Sequence, residues 1–280
     1  MIGIIIINFG NPGRTIRFVR EECSKVKGEH RTVVVDNGSG PEALAELQAA
    51  LGQEAEIIPA GENLGFARGN NLGAEYAIGM GADLLLFVNN DMVFTDADVV
   101  DSLAARLESL PDAGMIGPKV VGLDGKLQSP EPYKSFCQNH LLPYWGKLVY
   151  GRKALDAKMQ KDYAEKAQAG WHYRIMGSFM MMRAADFTAC GGMDPNTFLY
   201  SEEAILSERL KRIGKKVWYE PSVQVLHEHG ATITSHYGRV RRRRMKLDSD
   251  IYYYKNYKGE RGLKFAAARL TYALKALFGL

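Results

Sequence analysis

Residues 84–94 read LLLFVNNDMVF: an apolar run passes directly into Asn89, Asn90 and Asp91. An apolar run this short has the pattern of a strand buried on both faces, as in a parallel sheet. Its polar end has two readings. Asn and Asp make turns by bonding their own backbone. They also place polar groups at the carboxyl edge of the strands, where open α/β sheets bind ligands.

The residues upstream supply the rest of the sheet. GIIIIN (3–8), TVVVDN (32–37) and AEIIPA (55–60) read as strands. Helices are expected over 14–27, over PEALAELQAALG (41–52) and over FARGNNLGAEYAIGMG (66–81), the last weakened by internal glycines. This β-α-β alternation predicts a parallel sheet with right-handed crossovers. Three of its strands end in polar residues: Asn8, then Asp36-Asn37-Gly38-Ser39, then Asn89-Asn90-Asp91. Three such ends on one sheet edge favour a site over three unrelated turns.

From Lys119 to Tyr173 the periodicity weakens, and prolines 130, 132 and 143 with scattered aromatics suggest loops and short elements. Order returns with IMGSFMMMRAADF (175–187), a strand feeding a short helix. SEEAILSERLKRIG (201–214) is expected to be a helix with Ser201 as N-cap and Gly214 as C-cap. KKVWYE (215–220) and VQVLHEH (223–229) read as two closing strands.

Composition excludes several classes. With 46% hydrophobic and 24% charged residues the chain is an ordinary globular protein. Its three cysteines, Cys23, Cys137 and Cys190, form no CxxC pair, so neither a disulfide framework nor a zinc site is indicated. The N-terminus MIGIIIINFG reads as a first strand and not as a signal sequence, and no apolar run reaches the ~20 residues of a membrane span. The turn NFGNPGRT (8–15) lacks GxGxxG spacing, and no Walker GxxxxGK[ST] occurs. From His236 onward there are 12 Lys or Arg against 3 Asp or Glu, so the formal charge of +4 is the difference between an acidic body and a basic tail.

Other segments remain open on their residues alone. The glycines of NLGFARGNN (63–71) suit either a loop entering a helix or close backbone approach to a nucleotide. Glu202 and Glu203 complement a helix dipole, or they form a carboxylate pair in which one acts as a base. His227 and His229 are a strand-end pair or the source of a metal ligand beside Asp91. RVRRRRMK (239–246) is a solvated run, a diphosphate contact or a contact for anionic lipid, and Leu263, Ala267, Leu270, Leu274 and Leu277 fall on one helical stripe beyond it.

Taken in order, IIIINFGN, VVVDNGS, NLGFARGNN, LLLFVNND, GSFMMMRAADFTACGGMDPNTFLYSEE, LKRIGKKVWYEPSVQVLHEHGAT and YYYKNYKG resemble the inverting nucleotide-sugar glycosyltransferases of family 2, in their rhamnosyltransferase-like branch. The resemblance runs from Ile4 to about Lys258 and is uninformative over residues 123–172. It implies an α/β GT-A fold, a Rossmann-like, mostly parallel central sheet flanked by helices, with a C-terminal helical tail. Residues 1–235 would form one domain, with a nucleotide-sugar-binding half (1–118) and an acceptor-binding, catalytic half (119–235). Residues 236–280 would be the basic tail.

The resemblance also implies roles. Asn8, Phe9 and Gly10 would line the base and ribose pocket, and Asp36, with Asn37 beside it, would accept from the N3–H of a uracil or thymine. Asn63, Gly65, Phe66, Asn70 and Arg209 would hold the nucleotide and sugar. Asn90 and Asp91 occupy the metal-motif position, and Asp91 with His227 would bind a divalent cation, Mg2+ or Mn2+. Glu203 would be the base, with Glu202 beside it, and Phe198, Tyr200 and Trp171 would face the acceptor.

The implied reaction moves one sugar, rhamnose from dTDP-rhamnose, onto a glycan or lipid-linked acceptor, at the inner face of the cytoplasmic membrane and without a nucleic-acid partner. A UDP-hexose donor, or a nucleotide-sugar-binding module without catalysis, are the alternatives. Two departures stand out. The metal motif begins with amides, as Asn-Asn-Asp, and the acidic pair is Glu-Glu where Glu-Asp is usual, with Ile205 replacing a common acidic residue.

Overall fold

The computed structural model of the chain describes residues 1–142, 165, 167–228 and 237–277. Its first part alternates as the apolar pattern requires: β1 (Ile2–Asn8), α1 (Pro12–Glu21), β2 (His30–Asp36), α2 (Pro41–Leu51), β3 (Glu56–Pro59), α3 (Gly65–Gly79) and β4 (Leu84–Val88). There follow β5 (Met92–Phe94), α4 (Val99–Glu108), β6 (Ala113–Gly122), α5 (Phe136–His140), β7 (Gly170–His172), β8 (Phe179–Arg183) and α6 (Ala184–Ala189). The chain continues with α7 (Glu202–Arg212), β9 (Lys216–His227), α8 (Arg239–Asn256) and α9 (Lys264–Leu277).

Among the described residues one sheet runs in the order β3-β2-β1-β4-β8-β6-β9-β5, with β7 on β9. The strands β3, β2, β1 and β4 are parallel, and β6 pairs parallel with β9. β8 enters antiparallel between β4 and β6. Register aligns the polar ends: Asn8 lies opposite Asp36, and Asp36 opposite Pro59.

Strand alternation divides the interior into two layers. Ile4 and Ile6 pack with Phe18, Leu47, Leu51 and Leu103 on one face. Ile5, Val33, Val35 and Phe87 face Ala74, Ala77, Leu206 and Leu210 on the other. The glycines inside α3 belong to this second layer. A Cβ on Gly73 would stand 2.6 Å from Ile5 Cγ2, so its absence lets the helix settle onto the sheet. Packing here overrides the helix propensity that glycine lacks.

A third cluster joins Phe136, Ala204, Ile205, Leu247, Ile251, Tyr253, Tyr254, Phe265 and Ala268. The start of the basic tail is thus folded onto α7, and each such buried aliphatic or aromatic side chain contributes on the order of 1.5–3 kcal/mol.

The boundaries differ from the sequence reading in three places. The first helix begins at Pro12 and ends at Glu21, followed by a separate 3-10 turn at Cys23–Lys25. The two expected closing strands are one strand, β9, interrupted by a bulge: Glu220 pairs with Pro118 and Gln224 with the next residue, Lys119. Pro221 within the bulge has no N–H to give to a ladder. Ser201 stands at the N-cap position of α7 but makes no cap bond. Its hydroxyl donates to Asp250 Oδ1 at 2.5 Å instead. Gly214, left-handed at φ 76°, closes α7 as expected.

Candidate active site

The polar strand ends meet in a buried chain of hydrogen bonds. Asn90 Nδ2 donates to Thr15 Oγ1 (2.7 Å), Thr15 Oγ1 donates to Asn8 Oδ1 (2.7 Å), and Asn8 Nδ2 donates to Asp36 Oδ1 and Ser39 Oγ (both 3.0 Å). Asn8 and Thr15 are fully buried, Asp36 is 3% exposed and Asn90 9%. A buried polar group must be paired or it costs free energy, and these side chains pair with one another. The network fixes the ends of β1, β2 and β4 relative to α1, which carries Thr15. Nothing in the spacing of Thr15 announced this role.

Above this floor lies a pocket whose lining includes Ile7, Phe9, Asn37, Asn63, Asn90 and Asp91, with Gly65, Phe66, Asn89, Phe198, Leu199 and Tyr237 completing it. Of the expected nucleotide-sugar residues, Phe9, Asn37, Asn63, Gly65, Phe66, Asn90 and Asp91 reach it. Asn8 and Asp36 do not line it; they form the network beneath, and Gly10 gives its N–H to Ser39 Oγ at 2.9 Å. Asn70 is buried and turns back to Phe66 O at 3.0 Å, so it supports α3 from within.

The Asn63–Phe66 turn is built to approach protein. Gly65 is left-handed (φ 80°), and a Cβ there would stand 2.4 Å from Phe198 O. Phe66 N–H donates to that same carbonyl at 2.8 Å and Gly65 N–H to Asn63 Oδ1 at 2.9 Å. These first amides of α3 are therefore engaged by the chain itself, and the glycine admits the Phe198 loop where a nucleotide was one reading. Tyr237, from the start of the tail, closes the pocket from the other side. It stacks with Phe9 (centroids 6.3 Å, planes 11° apart) and accepts from Asn63 Nδ2 at 3.2 Å. The sequence reading did not single it out.

Asp91 and His227 converge because β5 and β9 pair, with Met92 opposite His227. His227 Nε2 lies 3.3 Å from Asp91 Oδ1, and its Nδ1 lies 2.8 Å from Gln128 Oε1. A proton on Nδ1 for Gln128 leaves the Nε2 lone pair on the Asp91 side, the usual outer support of a metal-binding imidazole. One carboxylate and one imidazole are suitable donors that would hold a divalent cation together with further oxygen donors from outside the chain. Among the described residues there is no group of three or more His, Cys, Asp and Glu that could hold a metal ion. His229 lies outside the described residues, as do Tyr144, Trp145 and Tyr150.

Glu202 and Glu203 open α7 after two consecutive left-handed residues, Tyr200 (φ 78°) and Ser201 (φ 69°). Such geometry costs about 1–3 kcal/mol per residue and persists where surroundings enforce it. Asp250 is one enforcing group: it accepts from Ser201, from Lys246 Nζ (3.0 Å) and from the His140 ring at Nε2 (2.8 Å). Burial would raise its carboxyl, but Lys246 and His140 hold it well below the usual range. The two glutamates have distinct environments. Burial and the neighbouring Glu203 push Glu202 up to about 8, whereas burial raises Glu203 against the opposing charge of Arg174. Arg174 Nη1 is 3.6 Å from Glu203 Oε1.

Glu203 is tied to the pocket through the backbone. Asn89 N–H donates to Ser178 O at 3.0 Å, and a Cβ on the preceding Gly177 would lie 3.5 Å from Glu203 Oε2.

Three of the expected residues lie away from this pocket. Arg209 is fully engaged away from the pocket, donating to Gly191 O (2.7 Å), Gly192 O (3.0 Å) and Tyr257 Oη (2.9 Å) and pairing with Asp194 (3.3 Å). Trp171 pairs across β7–β9 with Trp218, at the opposite end of β9 from His227, in an edge-to-face contact at 5.0 Å. Tyr200 is half-buried beneath the Lys246 ammonium, 5.8 Å from its ring centre, and is not part of the pocket lining. Phe198 alone of the expected acceptor-side residues lines it.

The sequence profile described as glycosyl transferase family 2 matches residues 4–187, and the chain belongs to that family. It is 25% identical over 241 residues to N-acetylglucosaminyl-diphospho-decaprenol L-rhamnosyltransferase of Mycobacterium tuberculosis, over 81% of this chain and 76% of that protein. Low-salt glycan biosynthesis hexosyltransferase Agl10 of Haloferax volcanii is 24% identical over 229 residues, over 81% of this chain and 66% of the relative. Among solved structures, a Pyrobaculum calidifontis mannosyltransferase in complex with GDP-Man and Mn2+ aligns with a TM-score of 0.59 at 13% identity, over 98% of this chain and 69% of that one. GalNAc-T7 with UDP, GalNAc and Mn2+ aligns at 0.63 and 13%, over 92% of this chain and 49% of its own, so the chain spans about half of it. These alignments establish the GT-A fold.

The buried network gives a direct test. Thr15→Val keeps the shape but leaves Asn8 Oδ1 and Asn90 Nδ2 without their partner, which should cost about 1–3 kcal/mol. Thermal unfolding should show a lower midpoint for Thr15→Val and a near-native one for Thr15→Ser; equal midpoints for Val and wild type would contradict the network's role.

Proposed function

We propose that the chain is an inverting, metal-dependent glycosyltransferase that moves one sugar, rhamnose from dTDP-rhamnose, onto a carbohydrate or lipid-linked acceptor. One observation carries the reading: the Asp91–His227 pair and Glu203 flank the same β4 edge, with Asn89 and Gly177–Ser178 between them. A family 2 chain with such a site has what single displacement needs, a place for a diphosphate and a base opposite it. The rhamnose assignment is supported by the mycobacterial relative named above.

Glu203 accepts the proton of an acceptor hydroxyl while that oxygen bonds to the anomeric carbon. The bond from that carbon to the diphosphate breaks on the opposite face, and its electron pair leaves with the nucleoside diphosphate. Configuration inverts, as in single-displacement glycoside hydrolysis. A divalent cation held by Asp91 and His227 would supply charge neutralisation to the leaving diphosphate. Glu202, with a pKa near 8, keeps its proton at neutral pH and adds no second negative charge beside the base. Phe9 and Tyr237 bracket the space for the nucleotide, and Asn37 and Asn63 offer it polar contacts.

The tail completes the reading. α9 packs through Phe265 and Ala268, and Leu270 (62%) on it and Leu263 (86%) just before it are exposed. Arg239, Arg241, Arg244 and Arg261 are exposed as well. An apolar stripe beside arginines suits the surface of an anionic membrane. No described helix is long and apolar enough to cross one.

Two experiments test these readings. In a panel of dTDP- and UDP-sugars with Mn2+, dTDP-rhamnose should raise the melting midpoint most and support turnover. Glu203→Gln should keep that thermal shift while kcat falls about 10²–10⁴-fold. Stabilisation by UDP-hexoses alone would overturn the rhamnose assignment, and intact turnover in Glu203→Gln would overturn the base. For the tail, the wild type should co-sediment with phosphatidylglycerol vesicles and Leu263→Asp/Leu270→Asp should not; no sedimentation of the wild type, or equal sedimentation of both, would contradict membrane docking.

A further inference from the structure

Arg174 stands between two carboxylates on the catalytic half of the molecule. One guanidinium nitrogen, Nη1, lies 3.6 Å from Glu203 Oε1, and the other, Nη2, is paired with Glu131. The side chain is only 15% exposed. Its backbone is equally fixed: Glu131 N–H donates to Arg174 O at 2.9 Å, and Met176 N–H to Ser129 Oγ at 3.3 Å. The segments 129–131 and 174–176 are therefore zipped together in front of α7, with the guanidinium as their shared charge.

We propose that Arg174 is the positioning residue of the transfer reaction: anchored by Glu131, it turns Glu203 Oε1 toward itself, leaving Oε2 over Gly177 to receive the acceptor's proton. The inference rests on Glu203 being the base. Gly177 contributes to it, because no side chain stands where a Cβ would sit 3.5 Å from Oε2. A guanidinium suits the task better than an ammonium, since its planar fork can face two carboxylates at once.

The titratable and charged groups around Glu203 come from each element packed against it. Glu202 precedes it on α7; Arg174 and Glu131 face it from the two zipped segments; Lys246, paired with Asp250, faces it from α8. Burial raises the Glu203 carboxyl, Arg174 and Lys246 oppose that rise, and Glu131 adds to it. Removing Arg174 therefore raises the carboxyl further, so the proton leaves only at higher pH. Removing the charge of Glu131 acts in the opposite direction.

The test is the pH dependence of kcat in the full-length protein with Mn2+ and saturating donor and acceptor. Arg174→Met should move the acid limb upward by about one unit or more, the size expected on losing an adjacent opposite charge. Its activity deficit should then be large at low pH and shrink as pH rises, with KM for the donor little changed. Arg174→Lys should restore part of the shift, and Glu131→Gln should move the limb downward. A deficit in Arg174→Met that is equal at every pH, or a limb that stays put in all three variants, would overturn the proposal. Where Arg174→Met does not fold, Arg174→Lys and Glu131→Gln decide by the opposed signs of their shifts. An inactive Glu203→Gln alongside unshifted Arg174 and Glu131 variants would refute this inference and leave the base assignment standing.

Discussion

Four polar side chains, Asn8, Thr15, Asp36 and Asn90, are buried where three parallel strands end, and they satisfy one another there. In a low-dielectric interior a bond missing from such a chain is costly, so the set specifies one arrangement of β1, β2, β4 and α1. The pocket inherits its shape from that requirement. Phe9, Asn37 and Asp91 each follow directly on a network member, and the network thereby fixes where they can point. Asn89 and Asn90 add shape and hydrogen bonding at this edge without adding charge, which leaves Asp91 as the carboxylate of the motif.

The entry to α7 is held by charge. Asp250 reaches from α8 to the strained turn at Tyr200–Ser201, and Arg174 reaches from the segment after β7 to Glu203. The result is two adjacent glutamates with different environments, one whose carboxyl is pushed up by burial and by its neighbour, one beside a guanidinium. Adjacent acids driven apart in this way would give the proposed reaction one base without two repelling charges. The tail helix thus has a structural task inside the site as well as an outward surface.

What the sequence disclosed and what it hid follow one physical line. Strand ends, the order of elements and the acidic pair are local patterns, and the periodicity of LLLFVNND or SEEAILSERL exposes them. Tyr237, Gln128, Arg174 and Asp250 matter because of partners far along the chain, and no local spacing records such a meeting. Arg209 shows the converse. Its place on the helix after Glu203 resembled a donor contact, yet Asp194, Tyr257 and the carbonyls of Gly191 and Gly192 take its whole guanidinium. Gly73 and Gly65 read as weakness or nucleotide approach; a Cβ on the first would meet Ile5 and one on the second the Phe198 carbonyl.

Whether Glu203 and the Asp91–His227 pair act on opposite faces of one anomeric carbon can be measured on the product. The NMR coupling constants of the transferred sugar, compared with those of the donor, report its configuration. The proposed arrangement, one base and one diphosphate site, predicts a product of opposite anomeric configuration to the donor. A product that retains the donor's configuration would require a nucleophile or an ion-pair route that this account does not contain, and would contradict it.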